Sequence, residues 1–203
     1  MNIGVLASHE GTTLQSLIDA CASGRIPGRV AVVVSNNSSA GALARARLAD
    51  IRTAHLSSNT HDGAESLDAA IRDTLVAARV DLVFLAGYMK RVGPLVLAAF
   101  EGRVLNTHPA LLPKFGGKGM YGDYVFKAVL ESGDAESGVS VHLVDGEYDH
   151  GPVVSQCRVQ VHAHDSLDTL KARIRSAEKE LVVETLAQIA NLRGVGLGSW
   201  TTT

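Results

Sequence analysis

Short runs rich in Val, Ile and Leu at 3–7, 30–35, 82–86, 104–106, 139–144 and 153–161 alternate with longer segments whose apolar residues recur at helical spacing. A strand buried on both faces reads as a continuous apolar run, and a crossover helix reads with a period near 3.6. The alternation therefore predicts an α/β fold with a parallel sheet covered by helices on both faces. Helices are expected at 14–21, 40–49, 64–78 and 94–100. After residue 136 the pattern changes, because two strand runs follow one another with only 145–152 between them. That order predicts an antiparallel strand pair added to the parallel sheet. The last element starts at a Ser166 cap and runs to about Leu192, with the stripe Leu167, Leu170, Ile174, Leu181, Val182 and Ile189 of an amphipathic helix. Glu178 lies on that stripe. No internal repeat or linker composition divides the chain, so 1–193 reads as one domain, and 194–203, with Trp200 among small residues, is expected to fray.

A chain of 203 residues suits one domain with a single core. Its 19 basic and 21 acidic residues leave a net charge of −2, and no Lys/Arg run exceeds two, so nucleic acid is not an expected partner. Small molecules are expected instead. Cys21 and Cys157 are isolated, and 1–6 lacks the charged and apolar regions of a signal peptide, which points to a reduced, cytoplasmic protein. No apolar run is long enough to cross a bilayer, since even 75–86 is broken by Arg79 and Asp81. A monomer and a homodimer are both compatible with the sequence.

Asn106-Thr107-His108-Pro109 sets an amide and an imidazole two residues apart at the end of an apolar run, so both can reach one cleft. Pro109 and Pro113 restrict the loop that follows, and Leu112-Pro113 is a candidate cis bond. The segment 145–152 carries the carboxylates Asp145, Glu147 and Asp149, any of which could approach His108 and raise its pKa; spacing does not choose among them. A solvated hairpin turn is the plainer reading of that segment. The loop Ser8 to Leu14 follows the first strand and opens the first helix, where backbone N–H groups and the hydroxyls of Thr12 and Thr13 would hold a phosphate; an ordinary helix cap is the plainer alternative. A dinucleotide fits poorly, because there is no GxGxxG and the second strand ends in Ser35-Asn36. A Walker A lysine is also missing, and eight histidines without HExxH or similar spacing give no metal site. Glu178 taken alone reads as an edge residue paired with Arg175 or Lys179.

These residues together resemble the folate-dependent formyltransferase family over nearly the whole chain. The resemblance is carried, in order, by 8–15, Ser35-Asn36, Leu85-Ala86-Gly87-Tyr88-Met89, 106–113, Ser140-Val141-His142 and Asp149-His150-Gly151-Pro152. The early Gly-Thr-Thr loop and the Ser-Val-His strand place it nearest the branch acting on glycinamide ribonucleotide, and the tRNA-binding and regulatory domains of other branches are not expected. The resemblance implies a seven-stranded, mostly parallel sheet with its cleft at the carboxyl ends of the strands. It implies a catalytic trio of Asn106, His108 and Asp149 supported by His142, and 10-formyltetrahydrofolate as co-substrate with no metal. Gly11, Thr12, Thr13 and Glu178 match positions that hold the nucleotide, and Lys118 is placed near its phosphate. Met89, Lys90, Arg91 and Val92, with Asn106, Asp145, Gly146, Glu147 and Tyr148, match the folate pocket. Three features depart from the pattern: Ala64 stands where an arginine meets the folate glutamate tail, Glu10 puts a carboxylate beside the phosphate loop, and 116–123 is rich in glycine, as a flap over the nucleotide would be. The implied reaction is direct attack of the nucleotide amine on the formyl carbon. Protonated His108 and Asn106 would stabilise the oxyanion, and Asp149 would hold His108 in its charged form. Rivals are hydrolysis of the formyl donor, transfer to an amino sugar, and a non-catalytic phosphate-binding domain.

Overall fold

The computed structural model describes residues 1–192, so the tail expected at 194–203, including Trp200, lies outside the described residues. Seven strands alternate with six helices: β1 Asn2–Ala7, α1 Thr12–Ala22, β2 Arg29–Ser35, α2 Gly41–Leu48, β3 Arg52–His55, α3 Ala64–Ala77, β4 Leu82–Leu85, α4 Pro94–Ala99, β5 Val104–His108, α5 Asp123–Ser132, β6 Glu136–Leu143, β7 Val153–Gln160 and α6 Leu167–Leu192. The sheet order is β3-β2-β1-β4-β5-β6-β7. From β3 to β5 all pairings are parallel, and β6 runs antiparallel to both β5 and β7. The chain winds outward from β1 in one direction and then restarts at β4 in the other, which opens a crevice at the carboxyl ends between these strands.

Strand alternation sorts the core into two layers. Ile3, Val5, Val33, Phe84 and Leu105 pack with α1, α2, α5 and α6, whereas Leu6, Val32, Val34, Val83, Leu85 and Val104 pack with α3 and α4. Ser166 caps α6 as expected, its Oγ accepting from Thr169 N at 3.2 Å. The expected stripe faces the core, with Leu170, Ile174, Leu181, Val182 and Ile189 buried.

Three elements differ from the sequence reading. β3 has no apolar run because it is an edge strand, paired on one side only and largely half-exposed. α5 went unread beside the glycine-rich segment, although Val125, Phe126 and Val129 form its buried face. β5 extends to His108, so this histidine stands on the strand, held by pairing of β5 with β6, and not on the loop after it.

Candidate active site

The carboxyl ends of β1, β4 and β5 and the β6–β7 connection meet in one cleft. Ser8, buried at the end of β1, ties its walls together: its Oγ donates to Asn36 Oδ1 at 2.5 Å and accepts from Met89 N at 2.8 Å. Arg91 Nε donates to Gly146 O at 2.7 Å. The two stretches expected to line one pocket, Met89 to Val92 and Asp145 to Asp149, are thereby brought face to face. Between them Lys90, Arg91, Val92, Asn106, His142, Gly146, Glu147, Tyr148 and Asp149 line a recess of about 70 Å³. Lys90, Arg91 and Val92 also border an adjoining cavity of about 1100 Å³ that reaches Ala64 and Asp68 on α3. The turn carrying them is anchored by Asp68, whose buried carboxylate accepts from Leu95 N at 2.7 Å and Val96 N at 3.3 Å, covering the first turn of α4. Burial, aided by the Asp68 charge, pushes the neighbouring Tyr88 phenol up to about 12.

Of the three competing carboxylates, Asp149 reaches the imidazole: its Oδ2 lies 3.3 Å from His108 Nδ1. Asp145 turns to the surface, where it pairs with His150 Nδ1 at 2.8 Å, and Glu147 is exposed. His108 is almost fully buried, and its Nε2 lies 2.7 Å from the Phe115 carbonyl, so both ring nitrogens face acceptors. Gly117 N donates to Asp149 Oδ2 at 3.1 Å. His142 Nε2 lies 3.0 Å from Asn106 Nδ2 and 3.5 Å from Asp149 Oδ1, while its Nδ1 lies 2.8 Å from Leu143 O. With Nδ1–H donating to that carbonyl, Nε2 accepts one Asn106 amide hydrogen and leaves the second for a ligand. The loop after His108 is pinned by Ser140 Oγ, which donates to Ala110 O at 2.7 Å and accepts from Leu112 N at 3.0 Å, and Leu112-Pro113 is cis.

The electrostatics correct one expectation. Burial is the largest influence on His108 and lowers its pKa, outweighing the upward pull of Asp149 and the Phe115 carbonyl. Burial pushes Asp149 up, but the flanking His142 and His108 imidazoles and the Gly117 amide bring its carboxyl below the ordinary value. The resting pair is thus a neutral imidazole beside a carboxylate, one proton short of an ion pair.

On the other side of the sheet, α1 is capped by Gly11, which sits in the left-handed region at φ 70°, where an added Cβ would lie 2.7 Å from Ala42 Cα. Thr12 and Thr13 are therefore the first residues of the helix and not its caps, and no side chain caps the first-turn N–H groups. Glu10 lies against the start of α2, where a Cβ on Gly41 would lie 2.7 Å from its Oε2. Glu178 is half-buried and pairs with neither Arg175 nor Lys179; its Oε1 accepts from Thr107 Oγ1 at 2.8 Å. Lys118 is exposed, and among the described residues no hydrogen bond or ion pair joins it to the Gly11 loop. Among the described residues no group of three or more His, Cys, Asp or Glu is placed to hold a metal, and no helix is long and apolar enough to cross a membrane.

The groups that escaped sequence reasoning are Phe115 O, Gly117 N, Asp68 and Thr107. The first two are backbone atoms without a side-chain signal. Asp68 looked like any polar helix residue, and Thr107 was legible only as the residue that must face away from Asn106 and His108.

The model of the formyl transferase family matches residues 1–186. This chain belongs to the formyl transferase family. Among formyl transferases it is 41% identical to the phosphoribosylglycinamide formyltransferase of Haemophilus influenzae, over 88% of this chain and 82% of that one. The phosphoribosylglycinamide formyltransferase of Escherichia coli is 39% identical over 95% of this chain and 89% of its own. A crystal structure of glycinamide ribonucleotide transformylase 1 from Symbiobacterium toebii superposes with a TM-score of 0.88 at 40% identity, covering 95% of this chain and 89% of that one. The mixed seven-stranded sheet is thus the architecture of a solved formyl transferase.

Proposed function

We propose that this formyl transferase moves the formyl group of 10-formyltetrahydrofolate to the primary amine of N1-(5-phosphoribosyl)glycinamide, a step of purine (IMP) synthesis. The observation that carries the reading is the approach of Asp149 to His108 beside Asn106, at a recess formed by two loops, in a chain whose first helix starts without a side-chain cap. The names of the relatives support the choice of substrates. The nucleotide phosphate is assigned to Gly11, Thr12 and Thr13, and Lys118 to a supporting charge from the glycine-rich segment. The folate head is assigned to the recess, with its acidic tail in the larger cavity, where Lys90 and Arg91 supply the positive charge that Ala64 does not.

In the reaction the amine lone pair attacks the formyl carbon and the carbonyl electron pair moves onto oxygen. The second Asn106 amide hydrogen donates to that oxyanion, a contribution of about 2.7–4 kcal/mol in comparable sites. The nitrogen that attacked now carries a surplus proton, and the resting His108–Asp149 pair has room for it. The resulting imidazolium lies between the Asp149 carboxylate and the Phe115 carbonyl, which compensate the burial that kept it neutral. Returned to the folate nitrogen, the proton lets the C–N bond break, releasing tetrahydrofolate and the formylated amine. No covalent enzyme intermediate is required.

The test is to mix the protein with 10-formyltetrahydrofolate, with and without the nucleotide, and follow loss of the formyl donor by absorbance. Turnover that depends on the nucleotide is expected. Release of formate without it would mark a hydrolase, and no turnover with it would refute the reading.

A further inference from the structure

The alternation of β5 places Thr107 on the opposite sheet face from Asn106 and His108. Leu105, which shares that face, packs in the layer of α1 and α6, whereas Val104 packs in the layer of α3 and α4. The Thr107 hydroxyl there meets Glu178 Oε1 at 2.8 Å, across 71 residues of chain. An ionised carboxylate offers about four acceptor positions. Thr107 fills one, and no other hydrogen bond or ion pair reaches Glu178 among the described residues. Arg175 and Lys179 influence it only at range, and burial is the dominant influence, holding its pKa above the ordinary value. A carboxylate kept half-buried on an otherwise apolar helix face with a single neutral partner is costly in the free protein. Hydroxyl donors of a ligand would complete its shell, and a ribose brings two of them on adjacent carbons.

We infer that Thr107 is the positioning residue for ribose recognition: its hydroxyl pins one carboxylate oxygen of Glu178 and leaves the other free for the ribose hydroxyls of the nucleotide. This rests on the reading above that the nucleotide occupies the α1 and α6 side of the cleft. β5 then serves both substrates, its even positions facing the formyl donor and its odd position facing the nucleotide.

Thr107→Val keeps the β-branched shape and removes the hydroxyl, and Thr107→Ser restores it. Steady-state kinetics of Thr107→Val are expected to show KM for the nucleotide raised about tenfold, the scale of one lost hydrogen bond to a charged group, with kcat and KM for 10-formyltetrahydrofolate within twofold of the parent, roughly the scatter expected at a site that makes no contact. Thr107→Ser should return the nucleotide KM to the parent value. A nucleotide analogue lacking both ribose hydroxyls separates positioning from general loosening, since it should bind the parent and Thr107→Val equally well. An unchanged nucleotide KM, an equal rise in both KM values, failure of the serine variant to restore binding, or independent and multiplying effects of analogue and variant would each overturn the inference. A parent enzyme that transfers no formyl group to the nucleotide would overturn the underlying reading instead, before any variant is made.

Discussion

Gly93→Ala should be strongly destabilising in the parent protein and harmless once Asp68 is removed. Gly93 precedes α4 with extended dihedrals, φ −81° and ψ 167°, that alanine adopts freely, so its backbone does not require glycine. Space does. A Cβ there would lie 2.2 Å from Asp68 Cγ and 2.3 and 2.5 Å from its oxygens, so the carboxylate must leave. Its departure loses two charge-assisted bonds, to Leu95 N and Val96 N. At about 1.5–3 kcal/mol each, with the 3.3 Å bond at the low end, the loss is about 3–5 kcal/mol. The stiffer unfolded chain returns about 0.4–1 kcal/mol, leaving about 2–4 kcal/mol. In Asp68→Ala the obstructing atoms are gone, the two bonds are already lost, and only the favourable unfolded-state effect remains. Urea denaturation of the four proteins in this cycle measures the coupling. With a slope of about 3 kcal/mol per molar, Gly93→Ala should lower the midpoint by about 1 M in the parent and leave it level or slightly raised in Asp68→Ala. Equal losses in both backgrounds, or none in the parent, would show that Asp68 does not hold this turn.

Three further outcomes follow from the site. Asp149→Asn should lower kcat by about 10²–10⁴-fold while nucleotide affinity, measured by calorimetry, stays near the parent value, because the imidazolium loses the carboxylate that compensates it and the site keeps its binding surfaces; an unchanged kcat would sink the assignment. Ser8→Ala strands Met89 N–H and should cost about 1–2 kcal/mol of stability, with KM rising for the formyl donor and not for the nucleotide. For pH, the folded pKa of His108 is lowered from an ordinary 6.5, so below that value the unfolded chain binds more protons and acid favours unfolding; thermal melts of the parent should lose stability from about pH 6.5 downward. His108→Gln should lose less over the same window, and subtracting the two curves removes the exposed His150, which Asp145 shifts the opposite way.

The fold was legible where burial wrote the same message at every residue. Strands β1, β2 and β4 have helices on both faces and accept almost nothing but Val, Ile, Leu and Ala, so their ends were readable to within a residue or so. β3 belongs to the sheet through backbone pairing on one side, and Arg52, Thr53, Ala54 and His55 carry no apolar pattern, since half of the strand meets solvent. The site divides in the same way. Asn106 and His108 announced themselves by spacing, but the choice of Asp149 over Asp145 and Glu147 depends on where the β6–β7 connection turns. Asp149 adopts φ 54° there, and an added Cβ on Gly151 would lie 2.0 Å from Leu143 O. Neither constraint has a spacing signature, which is why the carboxylate was named by resemblance and placed only by geometry.

The correction to His108 carries further than the residue itself. A carboxylate neighbour raises a histidine's pKa on balance only where its pull exceeds the cost of burying the charge, and His108 is 3% exposed. The same burial that makes the imidazolium costly at rest makes its compensation by Asp149 and the Phe115 carbonyl stronger once a proton arrives, because both act through a low dielectric. An exposed pair would hold its proton continuously and have nothing to accept from the attacking amine. A buried imidazole with a single acceptor would resist protonation throughout the reaction. Two acceptors on a buried ring give a group that is neutral before the amine attacks and stabilised as a cation afterwards, and one of the two comes from the backbone of Phe115, held at φ 57° at the start of the glycine-rich segment. That segment therefore bears on the proton acceptor directly, and substitutions at Phe115 or Gly117, which contact His108 and Asp149, should alter the pH dependence of kcat before they alter the affinity of either substrate.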